Sequence, residues 1–483
     1  MKNRKGRRSR NKATCNEAAT SNGDRFSTLP DDILLNVLER VETLDALRTC
    51  ILSKRMLKLP TMLSHIDVDI YSLAYYGSFR DLVRINGAVA DVTENILSTR
   101  SPEIPIRKLK VRFVLRHYDF LSIVKSFARA MATQKVEKAE IEIMTEKIKY
   151  QYCTPADRLD SAKKFNTILD ACPDAFPGLT SLWLHNMSFG ELDIPNILST
   201  CKRLQSFHLT YCDTGTRSVL QIEHDQLIEL EIDYGKFETV KLTYLPKLQQ
   251  VSYNNWCYED QPLSFGFVPQ LSKLSLTRTA VRSDRALELS QVLANFPSIS
   301  ELHLDFQSEK IWVLPECPKL LAPVLGKLWL VDLDNLPEGC DIAWTMFILQ
   351  AAPFLKELCI TVWDHWCHMV TDKERRKAEG YCNKLNVEWK PSVSGFRHMN
   401  LAKLTIYGFQ PDDNFMQYIR CVLEAAVNLE EISLHDKKAC KRCKDLDSKN
   451  KDSPIRYPQN DMERKHIVEE LGTAWPAVVH FRS

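Results

Sequence analysis

Glycine is scarce in this chain, at 15 of 483 residues. Loops that cradle phosphates need it, and neither G-x-x-x-x-G-K-[ST] nor G-x-G-x-x-G occurs. H-E-x-x-H and G-x-S-x-G are missing too, which removes two frequent hydrolase signatures. No apolar run approaches the ~18–20 residues a membrane-spanning helix needs, so no membrane contact is expected. The opening MKNRKGRRSRNK is basic with no apolar segment behind it, which argues against a secretory leader. The 15 cysteines are odd in number and scattered, so reduced thiols and a nuclear or cytoplasmic location are expected. The Asn186-Met187-Ser188 acceptor triplet would then be silent. No catalytic residue, cofactor or metal is expected. The closest approach to a metal site is His435 with Cys440 and Cys443 in HDKKACKRCKD, but one C-x-x-C lacks the second ligand pair of a structural zinc site. His466 is far along the chain, and His365, Cys367 and His368 read as packing or surface residues.

The formal net charge of +2 conceals an asymmetry. Seven Lys and Arg fall in the first twelve residues with no acid among them. The remainder holds 57 basic against 62 acidic residues, so the body does not have the charge of a nucleic-acid-binding surface. Residues 1–23 have no apolar periodicity and are expected to be disordered: an import signal, an RNA contact or a solvated tail.

Two features carry positive information. The first is STLPDDILLNVLERV at 27–41. Thr28 can cap a helix with Pro30, Asp31 and Asp32 in its first turn, where proline is tolerated and carboxylates suit the dipole. Ile33, Leu34, Val37, Leu38 and Val41 fall on one face. A second helix after Thr43 carries Leu44, Leu47 and Ile51, and a third short segment, SKRMLKL, is expected to stop at Pro60. Three helices this short cannot bury every apolar residue among themselves, so part of the face must meet something else.

The second feature is a repeat of the form apolar-x-x-apolar-x-apolar. It reads LTSLWL from Leu179, LQSFHL from Leu204, LIELEI from Leu227, LQQVSY from Leu248 and LSKLSL from Leu271. ISELHL from Ile299, LGKLWL from Leu325, LKELCI from Leu355, LAKLTI from Leu401 and LEEISL from Leu429 continue it, and IRKLKV from Ile106 and VEKAEI from Val136 precede it. Spacings from Leu179 are 25, 23, 21, 23, 28, 26, 30, 46 and 28 residues, mostly near the ~20–29 of a leucine-rich repeat. Each match ends in strand-like alternation, and DRALELSQVLANFPS and AWTMFILQAAPF read as intervening helices. The fold class expected is α/β: a curved solenoid whose parallel β-sheet lines the concave face. The Asn or Cys expected three positions past the template is clear only at Cys212. The 46-residue interval holds an insertion, 361–400, with Trp363, Trp366 and Trp389 beside DKERRK; Trp363 and Trp366 are candidate binding anchors. On the strands, His185, His208, Glu231, Tyr253 and Thr277 are candidate contacts for a protein target.

Residues 24–60, with the opening DR, LPDDIL, TLDALRT and LSKR, resemble the F-box of plant F-box proteins. The body resembles their leucine-rich repeats, and FRHMNLAKLTIYGFQPDDNFMQYIRCVLEAAVNLEEISL resembles their C-terminal FBD-like segment. The resemblance implies a three-helix F-box at 24–65, a helical linker at 66–100 and a solenoid at 101–437 that includes an FBD-like segment at 396–437. A polar tail with a possible helix follows at 438–483. It also implies a non-catalytic substrate receptor of an SCF-type ubiquitin ligase, docking on a Skp-type adaptor and through it a cullin. The adaptor contacts carried over are Leu29, Pro30, Ile33, Leu34, Leu38, Leu47, Leu52 and Lys54. Where the pattern continues SKRW with a second tryptophan, this chain has Met56 and Pro60, and methionine packs less rigidly. That departure is the one feature favouring the alternative, a repeat scaffold with a degenerate F-box. A nucleic-acid-associated factor is disfavoured by the acidic body.

Overall fold

The computed structural model describes residues 28–73, 79–116, 119–147, 153–215, 217–258, 261–278, 286–296, 299–309, 311–363, 395–436, 457–472 and 478–482. The chain divides into two compact units, Met1–Leu63 and Ser64–Ser483.

In the first unit, helix α1 is Asp31–Leu38 and α2 is Thr43–Arg48. Pro30 occupies the N-cap of α1 without a side-chain cap bond, so Thr28 does not cap it. The first turn is fixed from a distance instead. Arg55 donates from Nε to the Asp31 carboxylate at 2.6 Å and from Nη2 to the Leu29 carbonyl at 2.6 Å. The expected third helix is absent: residues 54–58 form turns, and Leu59–Met62 is a single 3-10 turn with Pro60 near its start rather than after its end. Proline lacks an N–H, which the first turn does not need. The core of the unit is Leu34, Leu38, Ala46, Met56, Leu59 and Leu63, with Leu29 and Leu35 packed against it.

The second unit is built on one parallel sheet. Its strands are β1 (His65–Asp69), β2 (Ile106–Leu115), β3 (Val136–Thr145), β4 (Ser181–His185) and β5 (Ser206–Thr210). After a crossover strand β6 (Ser218–Glu223) come β7 (Glu229–Asp233), β8 (Phe237–Tyr244), β9 (Gln250–Trp256), β10 (Leu263–Phe267) and β11 (Lys273–Arg278). β12 (Leu287–Glu288), β13 (Glu301–Asp305), β14 (Val313–Leu314), β15 (Leu330–Leu336), β16 (Glu357–Val362), β17 (Lys403–Tyr407), β18 (Glu431–His435) and β19 (Val478–Arg482) follow. Among the described residues fourteen strands form the main sheet, in the order β1-β2-β3-β4-β5-β7-β9-β11-β13-β15-β16-β17-β18-β19. The crossover strands make a separate sheet, β10-β8-β6, and β12 pairs with β14. Helices supply the other returns: α3 (Ile70–Leu73), α4 (Phe79–Thr99), α5 (Asp119–Thr133), α6 (Pro155–Ala171), α7 (Asp193–Thr200), α8 (Leu289–Val292), α9 (Pro318–Leu325), α10 (Met346–Ala351), α11 (Asp413–Ala425) and α12 (Asp461–Leu471).

Several expectations are corrected here. The region 66–100 is not wholly helical, because β1 extends the sheet. The sheet also runs beyond 437, since β19 pairs with β18 through Glu431↔Val478 to His435↔Arg482. Residues 361–362 of the expected insertion are the end of β16, and 364–394 lie outside the described residues. The match LGKLWL is out of register by three: Leu325 ends α9, and the buried series is Leu328, Val331 and Leu333. Spacings around it then become 29 and 27 residues.

The strands follow the template because its apolar positions all point inward, giving the in–out alternation seen in β4, β5, β7, β13 and β17. Past β4, β5 and β7 the backbone turns left-handed at Asn186, Tyr211 and Tyr234, and within the end of β9 it does so at Asn255. Gly408, with φ of +72°, ends β17 against the Val362 carbonyl, where a Cβ has no room. Cys212 is fully buried, and its thiol lies 3.4 Å from the Leu184 carbonyl, linking adjacent repeats.

Candidate functional site

Two surfaces, one on each unit, carry the groups named from the sequence. On the first unit the apolar stripe of α1 divides. Leu34 and Leu38 are 0 and 2% exposed and belong to the core, so they do not form the docking face expected of them. Ile33, Val37 and Val41 are 45, 38 and 46% exposed on the outer side. Leu52 and Lys54 are exposed, Pro30 is exposed, and Leu29 and Leu47 are half-buried. Ile51 and Leu57 add to the exposed apolar surface, at 87 and 61%. The i, i+4 spacing of Ile33, Val37 and Val41 is the signal that could have grouped the outer residues. Met56 lies inside the core at 2% exposure, so the missing tryptophan alters packing within the unit rather than its outer face.

On the second unit, the side chains that alternate outward from the main sheet form rows fixed by register. One row runs from Arg112 and Glu142 through Trp183, His208, Glu231, Ser252 and Ser275 to His303 and Asp332. His185, His208 and Glu231 are partly open. Tyr253 is not: it occupies the sixth template position, is fully buried, and donates its hydroxyl to the Phe237 carbonyl at 2.9 Å. Thr277 is also buried, donating to the Asn254 side chain at 3.3 Å. Trp363 is buried and its N–H donates to the Leu336 carbonyl at 2.9 Å, so it anchors the end of β16 rather than a binding loop. Trp366, Trp389, Cys440 and Cys443 lie outside the described residues. His435 stacks on Tyr407 with ring centroids 4.3 Å apart.

One residue of the row that the sequence reading does not single out is Trp183. Its ring stacks on His208 at 4.7 Å and on His185 at 5.3 Å, and its Nε1–H donates to Thr210 Oγ1 at 2.8 Å. The fifth template position, which also holds His208 and Glu231, marks it in the sequence. His185 Nε2 lies 3.2 Å from Glu142, which accepts from Arg112 Nε at 2.6 Å. Burial pushes the Glu142 carboxyl up, but the contacts with His185 and Arg112 outweigh it and hold its pKa below the usual value. Beside Trp183 a pocket of about 300 Å³ is floored by Ser181 and Ser206 and walled by Glu140, His208 and Glu229. Further along, the two outward rows on β7–β15 hold Glu231, Asp233, Asp305, Asp332 and Asp334, and His303 is their one basic residue. Asp305 and Asp334 are register partners. Burial raises the pKa of Asp233 and Asp305, while Asp334, Asp332 and Asp305 together raise that of His303 against its own burial.

Ser206, His208 and Glu231 have the connectivity of an acyl-transfer triad: Ser206 Oγ to His208 Nε2 is 2.6 Å, and His208 Nδ1 to Glu231 is 3.0 Å. The chemistry nonetheless fails. A triad needs free N–H donors aimed at an oxyanion. Here Ser206 is in mid-sheet, where β4 and β7 take up the main-chain groups on both sides. Ser206 also donates to Glu229 at 3.1 Å, diverting its proton from the imidazole. The arrangement is suited to hydrogen-bonding a partner, not to turning one over. No group of acids, histidines and cysteines placed to hold a metal occurs among the described residues, and no described helix is long and apolar enough to cross a membrane.

Comparison with known proteins identifies two domains in the chain. The family model described as At1g61320/AtMIF1, LRR domain, matches residues 96–469. The chain belongs to that leucine-rich-repeat family. An F-box domain model matches residues 26–64, so this is a plant F-box leucine-rich-repeat protein. Relatives in Arabidopsis thaliana include the F-box/FBD/LRR-repeat protein At4g26340, 24% identical over 58% of this chain and 60% of its own length. A second F-box/FBD/LRR-repeat protein, At5g22610, is 21% identical over 48 and 49%. The F-box/LRR-repeat protein At3g03360 is 24% identical over 70% of each chain. The chain thus spans 60 and 49% of the length of the first two. In this F-box leucine-rich-repeat protein the F-box match overlaps the unit that ends at Leu63, and the repeat match covers β2 to β18 entire.

Proposed function

We propose that the protein is the substrate-recognition subunit of an SCF-type ubiquitin ligase. The F-box docks on a Skp-type adaptor, and through it a cullin, while the outward rows of the repeat sheet hold a protein target. The observation that carries this reading is the outer apolar surface of the first unit. A unit with its own closed core still exposes Ile33, Val37, Val41, Ile51, Leu52 and Leu57, more large apolar side chains than a unit this small needs to leave in water, and exposed apolar surface of that kind marks a protein interface. The protein is non-catalytic, with ubiquitin transfer left to other subunits, and works in the nucleus or cytoplasm without a cofactor. Residues 396–437 serve as its FBD-like segment. The scaffold alternative rests on Met56, and since Met56 is a core residue it would act through the packing of the F-box rather than through its outer face.

The test is co-purification of the full chain with the adaptor and cullin, beside an Ile33→Asp/Leu52→Asp variant. The wild type should retain both and the variant neither. Equal recovery with the two proteins would sink the reading.

A further inference from the structure

The sheet of crossover strands has an edge that the described chain leaves open. In the order β10-β8-β6, β6 is outermost. On its free side stands α7, and a groove of about 1140 Å³ lies between them, lined by Leu192, Pro195, Leu198, Val219 and Gln221. The groove follows from a change in the return between main-sheet strands. From β4 to β5 the chain returns through a helix, and over the next three steps it returns through β6, β8 and β10. A helix keeps its backbone groups for itself, so the first return strand has no partner on that side.

The open groups can be identified. Thr243 of β8 donates its hydroxyl to the Ile222 carbonyl at 2.9 Å, and His224 N–H donates to the Tyr244 carbonyl at 3.0 Å, so these residues of the β6 segment face β8. Register is unbroken from Val219↔Thr239 to Ile222↔Leu242. With the two-residue period of a strand, Val219 and Gln221 turn their N–H and C=O groups toward the groove. No main-chain hydrogen bond joins β6 to α7 among the described residues. Open edges are normally blunted by lysine, proline or a cover. The β6 sequence SVLQIE has neither residue, and its Glu223 and its two register shifts, at Ser218/Val219 and Ile222/Glu223, confine the open row to Val219–Ile222; the opposite edge, LSFGF of β10, is bracketed by Pro262 and Pro269. Apolar and charged side chains border the groove together: Leu192 is 79% and Val219 50% exposed, and Glu191, Lys202, Arg217 and Glu223 also line it.

We propose that β6 is a strand-addition site, separate from both surfaces of the ligase reading. Its occupant is an extended segment of another protein, apolar at alternate positions, which enters the groove and pairs as a fourth strand. The open row selects this chemistry, because only an extended backbone presents matching N–H and C=O groups along its length. Six strand residues span about 20 Å, so the segment is about six residues long.

The test uses the full chain and a fluorescent peptide copying residues 237–244, FETVKLTY, which as β8 already pairs with β6 in parallel. A second peptide carries N-methyl groups at alternate residues. Gln221→Pro removes one groove-facing N–H and leaves the bonds to β8 in place; Val219→Lys blunts the edge and serves if the proline variant melts differently. Saturable binding of the plain peptide is expected, weakened about tenfold or more by methylation and by either variant. Equal binding of the methylated peptide, unchanged binding to both variants, or no saturation up to about millimolar peptide overturns the proposal. A concentration-dependent dimer abolished by Gln221→Pro also overturns it, by making a second copy the occupant.

Discussion

Ile33 and Leu34 are neighbours on α1 with opposite fates, and this allows a test in which two similar truncations have non-overlapping effects. Leu34 is 0% and Ile33 45% exposed. Removing a fully buried leucine side chain costs about 2–5 kcal/mol. The first unit is small, its F-box match covering residues 26–64, and units of that size are marginally stable, so Leu34→Ala should leave it largely unfolded. Full burial of an isoleucine is worth roughly 1.5–3 kcal/mol, and about half of that remains to be gained at Ile33, so Ile33→Ala should weaken adaptor binding roughly threefold to tenfold. Its stability should barely change. The assay is amide hydrogen exchange across residues 28–63 of the full chain, paired with adaptor affinity by interferometry. Leu34→Ala should lose protection throughout the unit, while Ile33→Ala keeps it and loses affinity alone. Retained protection in Leu34→Ala, or equal loss in both variants, would refute the division into inner and outer faces.

Three further outcomes are expected. Tyr253→Phe leaves the Phe237 carbonyl without its hydroxyl donor and should lower stability by about 1–2 kcal/mol in thermal melts, with target binding unchanged. Arg158→Ala removes the counter-ion of the buried Asp213 carboxylate, 3.3 Å from the guanidinium, leaving it only the bonds from Ser188 and Gly215, and should cost up to about 3 kcal/mol in denaturant titrations; Arg158→Ala combined with Asp213→Ala should recover part of it. His224 and His398 are buried, and burial lowers both pKa values against an opposing hydrogen bond to a carbonyl, Cys201 and Ala352 respectively. Each ring must be neutral with its proton on Nε2, because Nδ1 accepts main-chain N–H groups, from Gln226 and from Leu401. With folded values depressed, their contribution is complete above the unfolded value of about 6.5 and is lost as pH falls from there toward the folded values. Melting temperature should therefore fall between pH about 7.5 and about 5.5, and a His224→Gln/His398→Gln variant should show a lower but flatter profile. An equal slope in that variant would place the acid sensitivity elsewhere.

Much of the second unit can be read from the chain because its inward positions leave no choice. Wherever apolar-x-x-apolar-x-apolar occurs, the apolar residues must face the core and the strand follows. The one slip, at LGKLWL, has a local cause: Leu325, Leu328 and Val331 are apolar at three-residue steps, so the template fits twice, and only the helix ending at Leu325 decides between them. The crossover strands could also have been found, since SVLQIE and FETVKLTY alternate with period two, yet attention to helical returns passed them over. The division of α1 was beyond a local reading. Ile33 and Leu34 differ only in which side Met56, Leu59 and Leu63 approach from, and those residues lie more than twenty positions downstream.

The outward rows were the least legible part, for a reason that belongs to repeat architecture itself. Each side chain there has its nearest neighbours one repeat away, some 21–46 residues along the chain, so a charge pattern smooth in space is scattered in sequence. At the β2–β5 end the charges are met: Arg112 reaches both Asp69 and Glu142 at 2.6 Å. Between β7 and β15 acids outnumber bases in these two rows: Asp233 and Asp305 accept from Asn255 and Asn335, His303 lies 3.9 Å from Asp334, and Asp305 stands directly beside Asp334. Like charges on paired strands destabilise a sheet. Burial and that proximity already push the Asp305 carboxyl up, which is the fold's partial relief of the strain. A cationic stretch of a bound target would relieve it further, whereas an acidic one would be repelled by five carboxylates in two adjacent rows. Lys or Arg side chains in the target should therefore favour the β7–β15 segment, and salt should weaken that contact more than it weakens the apolar docking of the F-box.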